Sequence, residues 1–295
     1  MPPEFRTRFA PSPTGPLHLG HAYSAILAHD MALREGGQFL LRIEDIDRSR
    51  ARPEWDAQSY DDLHWLGLCW EEPVMRQSDR LEAYDKVLDE LWERDHLYPC
   101  TCTRRDILDA VSAPQEGVVP TGPDGLIYPG TCPRSWMGMP CSFAPRPEGQ
   151  TLRLSMAQAY WTAVDDVSGP RWYFRETGPT HRGLVAFTPD QMEQKVGDIV
   201  LARKDIGTSY HLSVVLDDAA QGITHVIRGE DLYEATKIHV ILQKLLQLPT
   251  PSYHHHRLIR DEAGKRLAKR DDARALSVYR AEGASPQDIR RMVGL

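Results

Sequence analysis

Apolar residues in the first third of the chain alternate between short unbroken runs and helical spacing. The run at 39–43, Phe-Leu-Leu-Arg-Ile, is typical of a buried strand, and residues 6–10 predict a shorter strand before it. Apolar side chains recur every three or four positions elsewhere, which predicts helices over 22–35, 53–66 and 81–95. Strands that alternate with such helices indicate a parallel α/β sheet.

This regular pattern is interrupted once and then resumes. Between about residues 113 and 150, proline, glycine and serine replace the periodic apolar residues, which indicates an irregular inserted module. Beyond the module the same patterns return and predict three strands, at 197–202, 223–228 and 253–259, and two helices, one beginning at 209 and one over 232–246. Two short helices are predicted to finish the chain.

The order of these elements predicts the fold. Ser285 is followed by proline and, three positions on, by an acid, which predicts the cap of the last helix. We predict an α/β protein in which a Rossmann-type nucleotide-binding sheet is split by an insertion and ends in a short helical carboxyl terminus. The predicted divisions are a first half over 1–97 and an insertion with a connective region over 98–195. They are followed by a second half over 196–262 and by a mobile loop with short helices over 263–295.

Composition narrows the class of protein. The chain of 295 residues is 41% hydrophobic and 26% charged, which is ordinary for a globular protein, and it contains no apolar stretch long enough to span a bilayer. Its start lacks the basic and then apolar pattern of a secretory signal, so we expect a cytoplasmic protein. A net charge of -7 argues against a protein that coats nucleic acid nonspecifically.

The segment 10–21, Ala-Pro-Ser-Pro-Thr-Gly-Pro-Leu-His-Leu-Gly-His, carries the strongest chemical signal. It lies between a predicted strand and a predicted helix, where unpaired N–H groups and the helix dipole favour phosphate. Gly20 permits a close approach of the backbone, and the imidazoles of His18 and His21 can donate to phosphoryl oxygens. The alternative is that the two histidines only cap the helix.

The residues around this segment resemble a known family. Residues 10–15 before the histidines and 42–48 after the first helix, Arg-Ile-Glu-Asp-Ile-Asp-Arg, resemble the glutamyl branch of the class I aminoacyl-tRNA synthetases. The resemblance implies a class I synthetase fold in which His18, Gly20 and His21 bind ATP. It also implies that His18 and His21 take part in catalysis.

A second motif of that family is present in altered form. Residues 260–270, Arg-Asp-Glu-Ala-Gly-Lys-Arg-Leu-Ala-Lys-Arg, match the mobile loop usually written Lys-Met-Ser-Lys-Ser. Arg266 replaces the first lysine and Ala268 the serine, whereas Lys269 keeps the second lysine. By resemblance Lys269 is the catalytic and ATP-binding cation of this loop, because fixed positive charge can neutralise the departing pyrophosphate.

The resemblance also implies a glutamate pocket. Glutamate has two carboxylates and one amine, so its pocket needs guanidinium groups and an acid. The matching residues are Arg8 and Arg228 for carboxylates and Glu44 for the ammonium group. Hydrogen-bonding or backbone positions complete the pocket: Phe9, Ala10, Pro11, Ser12 and Tyr210. The run His254-His255-His256 is predicted to lie near the nucleotide and not to form a second metal site, because consecutive strand residues alternate between faces.

Five cysteines in a cytoplasmic enzyme do not suggest disulfides. Cys100, Cys102 and Cys132 supply three of the four ligands that zinc needs. Cys141 is one candidate for the fourth, whereas the spacing resembles the zinc site of short glutamyl-type enzymes, in which a tyrosine, here Tyr128, is the ligand. A third possibility is that these cysteines are reduced and bind no metal. Cys69 is predicted to be a core residue.

The end of the chain carries a further expectation. A full glutamyl-tRNA synthetase continues into a helical anticodon-binding region, whereas this sequence stops at Leu295. In this it resembles the glutamyl-queuosine tRNA(Asp) synthetases, which are stand-alone catalytic cores. The resemblance implies activation of L-glutamate by ATP with Mg²⁺, and transfer of the glutamyl group to queuosine in the anticodon of tRNA(Asp). We expect a monomer with no membrane partner.

Two alternatives remain open from the sequence, and a third is disfavoured. A truncated glutamyl-tRNA synthetase would charge tRNA(Glu), and the altered loop motivates a non-catalytic tRNA-binding paralogue. A small-molecule nucleotidyltransferase would not explain Glu44, Tyr210 and the cysteine module together. Basic residues crowd the stretch 257–291, which indicates either a tRNA contact or a solvated helical face.

Overall fold

The computed structural model describes residues 4–111, 120–132, 135–136, 139–140, 144–162, 172–260 and 274–295. Its first part alternates strands and helices in the order β1 (Arg6–Phe9), α1 (Leu19–Arg34), β2 (Gln38–Ile43), α2 (Pro53–Trp65), β3 (Glu71–Arg76) and α3 (Leu81–Glu93). All of these except β3 were predicted. The three strands are parallel. Helix α1 begins three residues before its predicted start, because the side chain of His18 caps it.

The middle of the chain contains short strands and helices. These are β4 (Leu97–Cys100), α4 (Arg104–Val111), β5 (Thr121–Gly122), β6 (Gly125–Leu126), β7 (Ser135–Trp136), β8 (Met139–Pro140), β9 (Thr151–Leu154), α5 (Met156–Thr162), β10 (Trp172–Glu176), β11 (Gly183–Phe187) and α6 (Pro189–Lys195). Strands β5 with β6 and β7 with β8 form two-residue hairpins. Elements this short carry too little periodicity for the sequence to predict them.

The last part restores longer elements close to their predicted positions. These are β12 (Ile199–Ala202), α7 (Tyr210–Ala220), β13 (His225–Gly229), α8 (Ala235–Leu245), β14 (Ser252–His256), α9 (Leu276–Ala281) and α10 (Pro286–Val293). The cap predicted for the last helix is confirmed, because the Ser285 hydroxyl accepts from the N–H of Asp288 at 3.2 Å. Gly294 ends that helix in a left-handed conformation, with φ 75°.

The two halves of the predicted nucleotide-binding sheet meet at β1 and β13. The amino-terminal strands run in the order β1-β2-β3, and the other strands run in the order β11-β10-β14-β13. The N–H of Thr224, just before β13, donates to the carbonyl of Arg6 in β1 at 2.9 Å and joins the two sets. The chain therefore winds outwards in opposite directions from this junction, as in a doubly wound fold.

Strand pairing crosses the predicted division at residue 195. Strands β10 and β11 lie within the predicted insertion, but β10 pairs with β14 of the nucleotide-binding sheet. Strand β12 lies in the predicted second half, but it pairs with β9, and β9 pairs with β4, in a separate antiparallel sheet. Backbone hydrogen bonds between distant segments decide this arrangement, and local sequence patterns do not contain them.

Two large apolar clusters support the site. One packs α1 against β1 and β2 through residues such as Ala25, Ile26 and Leu41, each at most 1% exposed. The other joins the antiparallel sheet to α7 and α8. Within the described residues, no helix combines the length and apolar character that a membrane crossing requires.

Candidate active site

A cavity of about 340 Å³ opens where the strand order reverses, between β1 and β13. Open α/β sheets bind ligands at such a point, beyond the carboxyl ends of the strands. The cavity wall brings together most of the predicted site residues: Arg8, Phe9, Ala10, His18, Gly20, His21, Glu44, Tyr210 and Arg228. Pro11 and Ser12 belong to the loop after β1 but not to this wall, and Lys269 lies outside the described residues.

Two histidines cap the amino end of α1 and also face the cavity. Nδ1 of His18 accepts from the N–H of Gly20, and Nδ1 of His21 accepts from the N–H of His18, both at 3.1 Å. A neutral ring held in this way carries its proton on Nε2, which is then a donor. A Cβ on Gly20 would lie 3.0 Å from Cε1 of His18, so glycine leaves room for this ring. Capping and phosphate binding are therefore compatible roles.

The segment 261–273, which contains Arg266, Ala268 and Lys269, lies outside the described residues. The residues on either side of it lie at the cavity. Ile259 belongs to the cavity wall, and Ala275 forms an antiparallel bridge with His18. The described residues on either side of this segment therefore lie near the two histidines.

On one side of the cavity, Arg8 takes part in a buried network of charges. Its guanidinium makes two hydrogen bonds to the Asp218 carboxylate, at 2.8 and 3.2 Å. Nη1 of Arg42, a fully buried residue, donates to the same carboxylate at 2.7 Å. Burial alone would raise the pKa of Asp218, but the two guanidinium charges lower it below its usual value. This carboxylate is therefore ionised and already neutralises part of the positive charge beside the cavity.

Glu44 connects that network to the cavity wall. Nη2 of Arg42 donates to Oε1 of Glu44 at 3.1 Å, and the Glu44 side chain is 13% exposed. Burial raises the pKa of Glu44, and the attraction of Arg42 and Arg8 offsets this only in part. An ammonium group bound at Glu44 would favour its ionised form. Tyr210, at the start of α7, lines the same cavity, and burial raises the pKa of its phenol.

Arg228, at the other side, has different surroundings. Its guanidinium donates to His255 Nε2 at 3.2 Å, to His239 Nδ1 at 3.1 Å and to the Thr236 hydroxyl at 2.7 Å. A further bond goes to the carbonyl of Leu232 at 3.3 Å. Within the described chain these partners are uncharged acceptors, so the positive charge of Arg228 is available to a bound carboxylate.

The three consecutive histidines of β14 have separate partners. Nδ1 of His254 is 3.0 Å from the Thr177 hydroxyl, whereas Nδ1 of His255 is 2.5 Å from the Glu176 carboxylate. Nε2 of His256 lies 2.7 Å from the hydroxyl of Ser24 in α1, and both of these residues line the cavity. Of this run, His256 therefore lies at the cavity, and the nearness of the run to a bound nucleotide stays a prediction.

Three cysteines form a cluster away from the cavity. The thiols of Cys100, Cys102 and Cys132 lie within 4.8 Å of one another. The hydroxyl of Tyr128 lies 3.7 Å from Sγ of Cys100 and 3.6 Å from Sγ of Cys102. The structure thus brings together all four residues of the predicted zinc set. Cys141, the alternative ligand, lies outside the described residues.

The spacing of these atoms fits a tetrahedral metal ion. Zinc bonds of about 2.3 Å to sulfur and about 2.0 Å to oxygen would place sulfurs about 3.8 Å apart, and sulfur and oxygen about 3.5 Å apart. The Cys102–Cys132 and Cys100–Cys132 sulfur separations are 3.4 and 3.7 Å. The N–H of Cys132 donates to the Tyr128 oxygen at 2.7 Å, which favours a phenolate there.

Cys69 departs from its prediction. It was expected in the core, but it is exposed. It follows Leu68, which is 1% exposed and ends the apolar contact of this segment. The sequence pattern placed the apolar run correctly but gave no information about which side of the chain Cys69 faces.

Comparison with known proteins adds to this geometry. A family described as tRNA synthetases class I (E and Q), catalytic domain, matches residues 4–118 and 171–295. A curated relative from Rhodobacter capsulatus, named glutamyl-Q tRNA(Asp) synthetase, is 63% identical over 98% of this chain and 99% of its own length. The chain belongs to this family of class I tRNA synthetases. A relative of the same name from Symbiobacterium thermophilum is 39% identical over 96% of the chain and 83% of its own length.

Solved structures of glutamate tRNA ligases share the fold of this synthetase. The ligase from Elizabethkingia meningosepticum, solved in complex with its amino acid, is 26% identical, with a TM-score of 0.73. The glutamate-tRNA synthetase from Elizabethkingia anophelis is 24% identical, with a TM-score of 0.74, and matches in fold. The chain is covered to 99% in both comparisons but spans only 60% and 61% of the two ligases.

Sequence reasoning missed several residues at the site of this synthetase. Asp218 and its neighbour Asp217 hold buried arginines, and Asp217 accepts from Arg80 at 2.7 Å and from the Tyr84 hydroxyl at 2.9 Å. A signal was available, because two adjacent acids inside the apolar helix α7 require buried partners. Arg42 offered the same signal from within the apolar strand β2.

Proposed function

We propose that this synthetase activates L-glutamate with ATP as glutamyl-adenylate and transfers the glutamyl group to queuosine in the anticodon of tRNA(Asp). One observation carries the proposal. A single cavity joins a helix terminus with two histidines to a pocket that contains Glu44, Tyr210 and Arg228. The names of the relatives agree with this chemistry.

The ATP half of the site uses the amino end of α1. The Nε2–H groups of His18 and His21 would donate to phosphoryl oxygens, and Gly20 would let the backbone approach them. Lys269 would approach from segment 261–273, whose flanks lie at the cavity. Mg²⁺ would arrive with the ATP and share the phosphate charge.

The glutamate half would hold the amino acid by its three charges. Glu44 would bind the ammonium group, and Arg8 and Arg228 would face the carboxylates, with Tyr210 as a hydrogen-bonding wall residue. An oxygen of the α-carboxylate then attacks the α-phosphorus of ATP, and the bond to pyrophosphate breaks. Positioning and charge stabilisation accelerate this step, so no side-chain nucleophile is required. In the second step the acceptor on queuosine attacks the activated carbonyl, and AMP leaves.

Zinc is the metal proposed for the cysteine cluster. Cys100, Cys102, Tyr128 and Cys132 would hold it, and their spacing supports a tetrahedral site. The ion would stabilise the fold of the segment 120–132 and would lower the pKa of the Tyr128 phenol. Burial otherwise raises the pKa of this phenol.

The pairing of the carboxyl-terminal arginines bears on the possible tRNA contact. Several described arginines of the carboxyl-terminal stretch pair with acids of the chain itself. Arg290 lies 2.6 Å from Asp30, and Arg280 lies 2.6 Å from Asp61. These pairs favour the interpretation of this stretch as a solvated helical face over a dedicated tRNA surface.

The decisive experiment follows radiolabelled glutamate in the presence of ATP. Three acceptors are compared: tRNA(Asp) that carries queuosine, the same tRNA without queuosine, and tRNA(Glu). We expect label on the first alone. Label on tRNA(Glu) would instead support an ordinary glutamyl-tRNA synthetase, and no label on any acceptor, together with no pyrophosphate exchange, would support a binding paralogue.

A further inference from the structure

Arg228 is held in the cavity by histidines whose own partners extend away from it. His239 Nδ1, at 3.1 Å from Arg228 Nη1, is one contact, and the other ring nitrogen of His239 faces a second histidine. That nitrogen, Nε2, lies 3.1 Å from Nδ1 of His211. Nε2 of His211 lies 3.3 Å from Oδ1 of Asp124, in the segment that also carries Tyr128. Hydrogen bonds join Arg228, His239 and His211, and the contact between Nε2 of His211 and the Asp124 carboxylate continues the row.

The hydrogen bonds in this row have one possible direction. A guanidinium only donates, so Nδ1 of His239 must accept and carries no proton. The proton of His239 is therefore on Nε2 and is donated to Nδ1 of His211. The proton of His211 must then be on Nε2, the ring nitrogen that lies 3.3 Å from the Asp124 carboxylate. His239 is 2% exposed, and burial, together with the charge of Arg228, keeps its pKa well below the usual value, which agrees with a neutral ring.

A second, shorter row leaves Arg228 in another direction. Nε–H of Arg228 donates to Nε2 of His255 at 3.2 Å, so His255 carries its proton on Nδ1. That proton faces the buried Glu176 carboxylate at 2.5 Å. Glu176 is fixed further by the N–H groups of His255 and Gly178, at 3.0 and 2.6 Å. His239 and His255 must therefore be opposite tautomers.

We propose that His239, His211 and Asp124 form a positioning relay that fixes the Arg228 guanidinium for a substrate carboxylate. This rests on the proposed role of Arg228 in binding glutamate and adds to it. Both rows end in carboxylates, but neutral imidazoles separate these from Arg228, so its direction is fixed without a direct ion pair. The relay also links the glutamate pocket to the segment 120–132, which contributes two residues to the metal cluster.

The tautomers can be tested without any assay of activity. In nitrogen-15 spectra that correlate ring nitrogens with ring protons, His239 and His211 should show the Nε2–H form and His255 the Nδ1–H form. Signals are assigned by their loss in single-histidine variants. An Nδ1–H form at His239, or a doubly protonated His211 near neutral pH, would overturn the relay.

A matched pair of variants tests positioning. His239→Asn keeps an acceptor near the place of Nδ1 and so retains the bond to Arg228, whereas His239→Gln places its amide near Nε2 and loses that bond. We expect the Gln variant to raise the KM for glutamate about tenfold or more, with kcat and the KM for ATP little changed. The Asn variant should remain within about threefold of the unmodified protein. Equal KM values for the two variants would contradict positioning.

The far end of the relay needs its own control. Asp124→Asn should raise the KM for glutamate about two- to threefold, because the amide oxygen accepts more weakly than the carboxylate. Asp205→Asn removes the same charge from the wall of the cavity that Asp124 and His211 also line, and it should change nothing. An equal rise in the two variants would assign the effect to surface charge and overturn the role of Asp124.

These experiments separate the relay from the proposed function. If the unmodified protein shows no glutamate-dependent pyrophosphate exchange, with or without tRNA, the proposed function is wrong. The spectra still decide the relay, because the tautomers belong to the protein before any substrate binds. If exchange occurs but the tautomers are not opposite, the relay alone is overturned.

Discussion

Two arginines, Arg8 and Arg228, line one cavity, and their surroundings differ in charge. Arg8 makes a double hydrogen bond to the Asp218 carboxylate, which Arg42 also contacts. Arg228 contacts imidazoles, a hydroxyl and a carbonyl within the described residues. The first side is a matched ion network, and the second is a buried cation among neutral acceptors.

This difference predicts that the two arginines have different main roles, one in the stability of the fold and one in substrate binding. A guanidinium already paired with a carboxylate gains little from a second carboxylate, whereas one among neutral groups gains the full attraction. We therefore expect Arg8 to contribute mainly to the stability of the fold and Arg228 mainly to glutamate affinity. The following predictions test that division, beginning with the largest effect.

Asp218→Ala should have the largest effect, on stability. The change leaves Arg8 and the fully buried Arg42 without their shared carboxylate. Removal of one partner of a buried ion pair costs about 3–5 kcal/mol of unfolding free energy. Urea unfolding measures this loss of unfolding free energy. The control is Asp205→Ala, at an exposed, ion-paired position, which should change stability by less than about 0.5 kcal/mol. A loss below about 1 kcal/mol for Asp218→Ala would contradict the division.

Arg228→Lys should affect binding instead. Lysine keeps the charge but cannot reproduce the planar fork that the two histidines hold. We expect kcat/KM for glutamate to fall about 100-fold, which corresponds to about 2.7 kcal/mol, with the KM for ATP nearly unchanged. Arg8→Lys, in the same exchange assay, should lose less activity but unfold at a lower urea concentration. The reverse order of the two variants would show that the assignment of the arginines is exchanged.

The sequence predicted those strands, helices and caps that depend on residues close together in the chain. Apolar runs predicted β1 and β2, two of the three parallel strands of the first half, and Ser285 predicted a helix cap that the structure confirms. The motif resemblance predicted most of the cavity wall, because ligands of a doubly wound sheet bind beyond the carboxyl ends of its strands, where the strand-to-helix turns lie. The same resemblance, through the spacing of Tyr128 and Cys132, predicted that Tyr128 lies beside the cysteines, and the structure places it there.

Long-range partners could not be predicted in this way. Arg8 and Asp218 are 210 positions apart, and no local pattern pairs them. The pairing of β10 with β14 has the same origin, since a two-residue periodicity predicts a strand without identifying its neighbour. His211 and His239 occupy faces of α7 and α8 that look apolar in sequence, so their contact appears only when the helices pack.

The two sides should also differ in their response to acid. Burial lowers the pKa of His256 to about 4 and keeps that of His239 well below its usual value. A depressed folded-state pKa means that the unfolded chain binds more protons, so stability falls as pH drops below about 6.5. The pKa of Asp218 is lowered from 3.8, so its contribution is lost only in stronger acid.

Urea unfolding at pH 7 and pH 5 measures this response. His256 alone should cost about 2 kcal/mol over this interval, and His256→Asn should remove that part. Asp62 acts in the opposite direction, because burial and the charge of Asp61 raise its pKa to about 6, so Asp62→Asn should steepen the loss. A pH response unchanged by His256→Asn would contradict the assignment of this loss to His256.

Removal of the metal should give the smallest effect. It tests whether the relay from Arg228 reaches the segment 120–132. A bound ion would restrain Tyr128 and Cys132, and Asp124 lies four positions before Tyr128 in the same segment. Chelation should therefore loosen the contact between Asp124 and His211 and raise the KM for glutamate about two- to fivefold, an effect of the size of one hydrogen bond. Metal content, determined on the same samples, establishes that the ion has left.

The control for this effect is the variant that already lacks the carboxylate. In Asp124→Asn, chelation should remove the metal equally well but change the KM for glutamate far less, because the connection to His211 is already weakened. Non-additive effects of this kind identify residues in one network, whereas independent sites give additive effects. An equal rise in both proteins would mean that the metal acts on the pocket by another route. The relay from Arg228 would then end at His211 and would not extend to the segment 120–132.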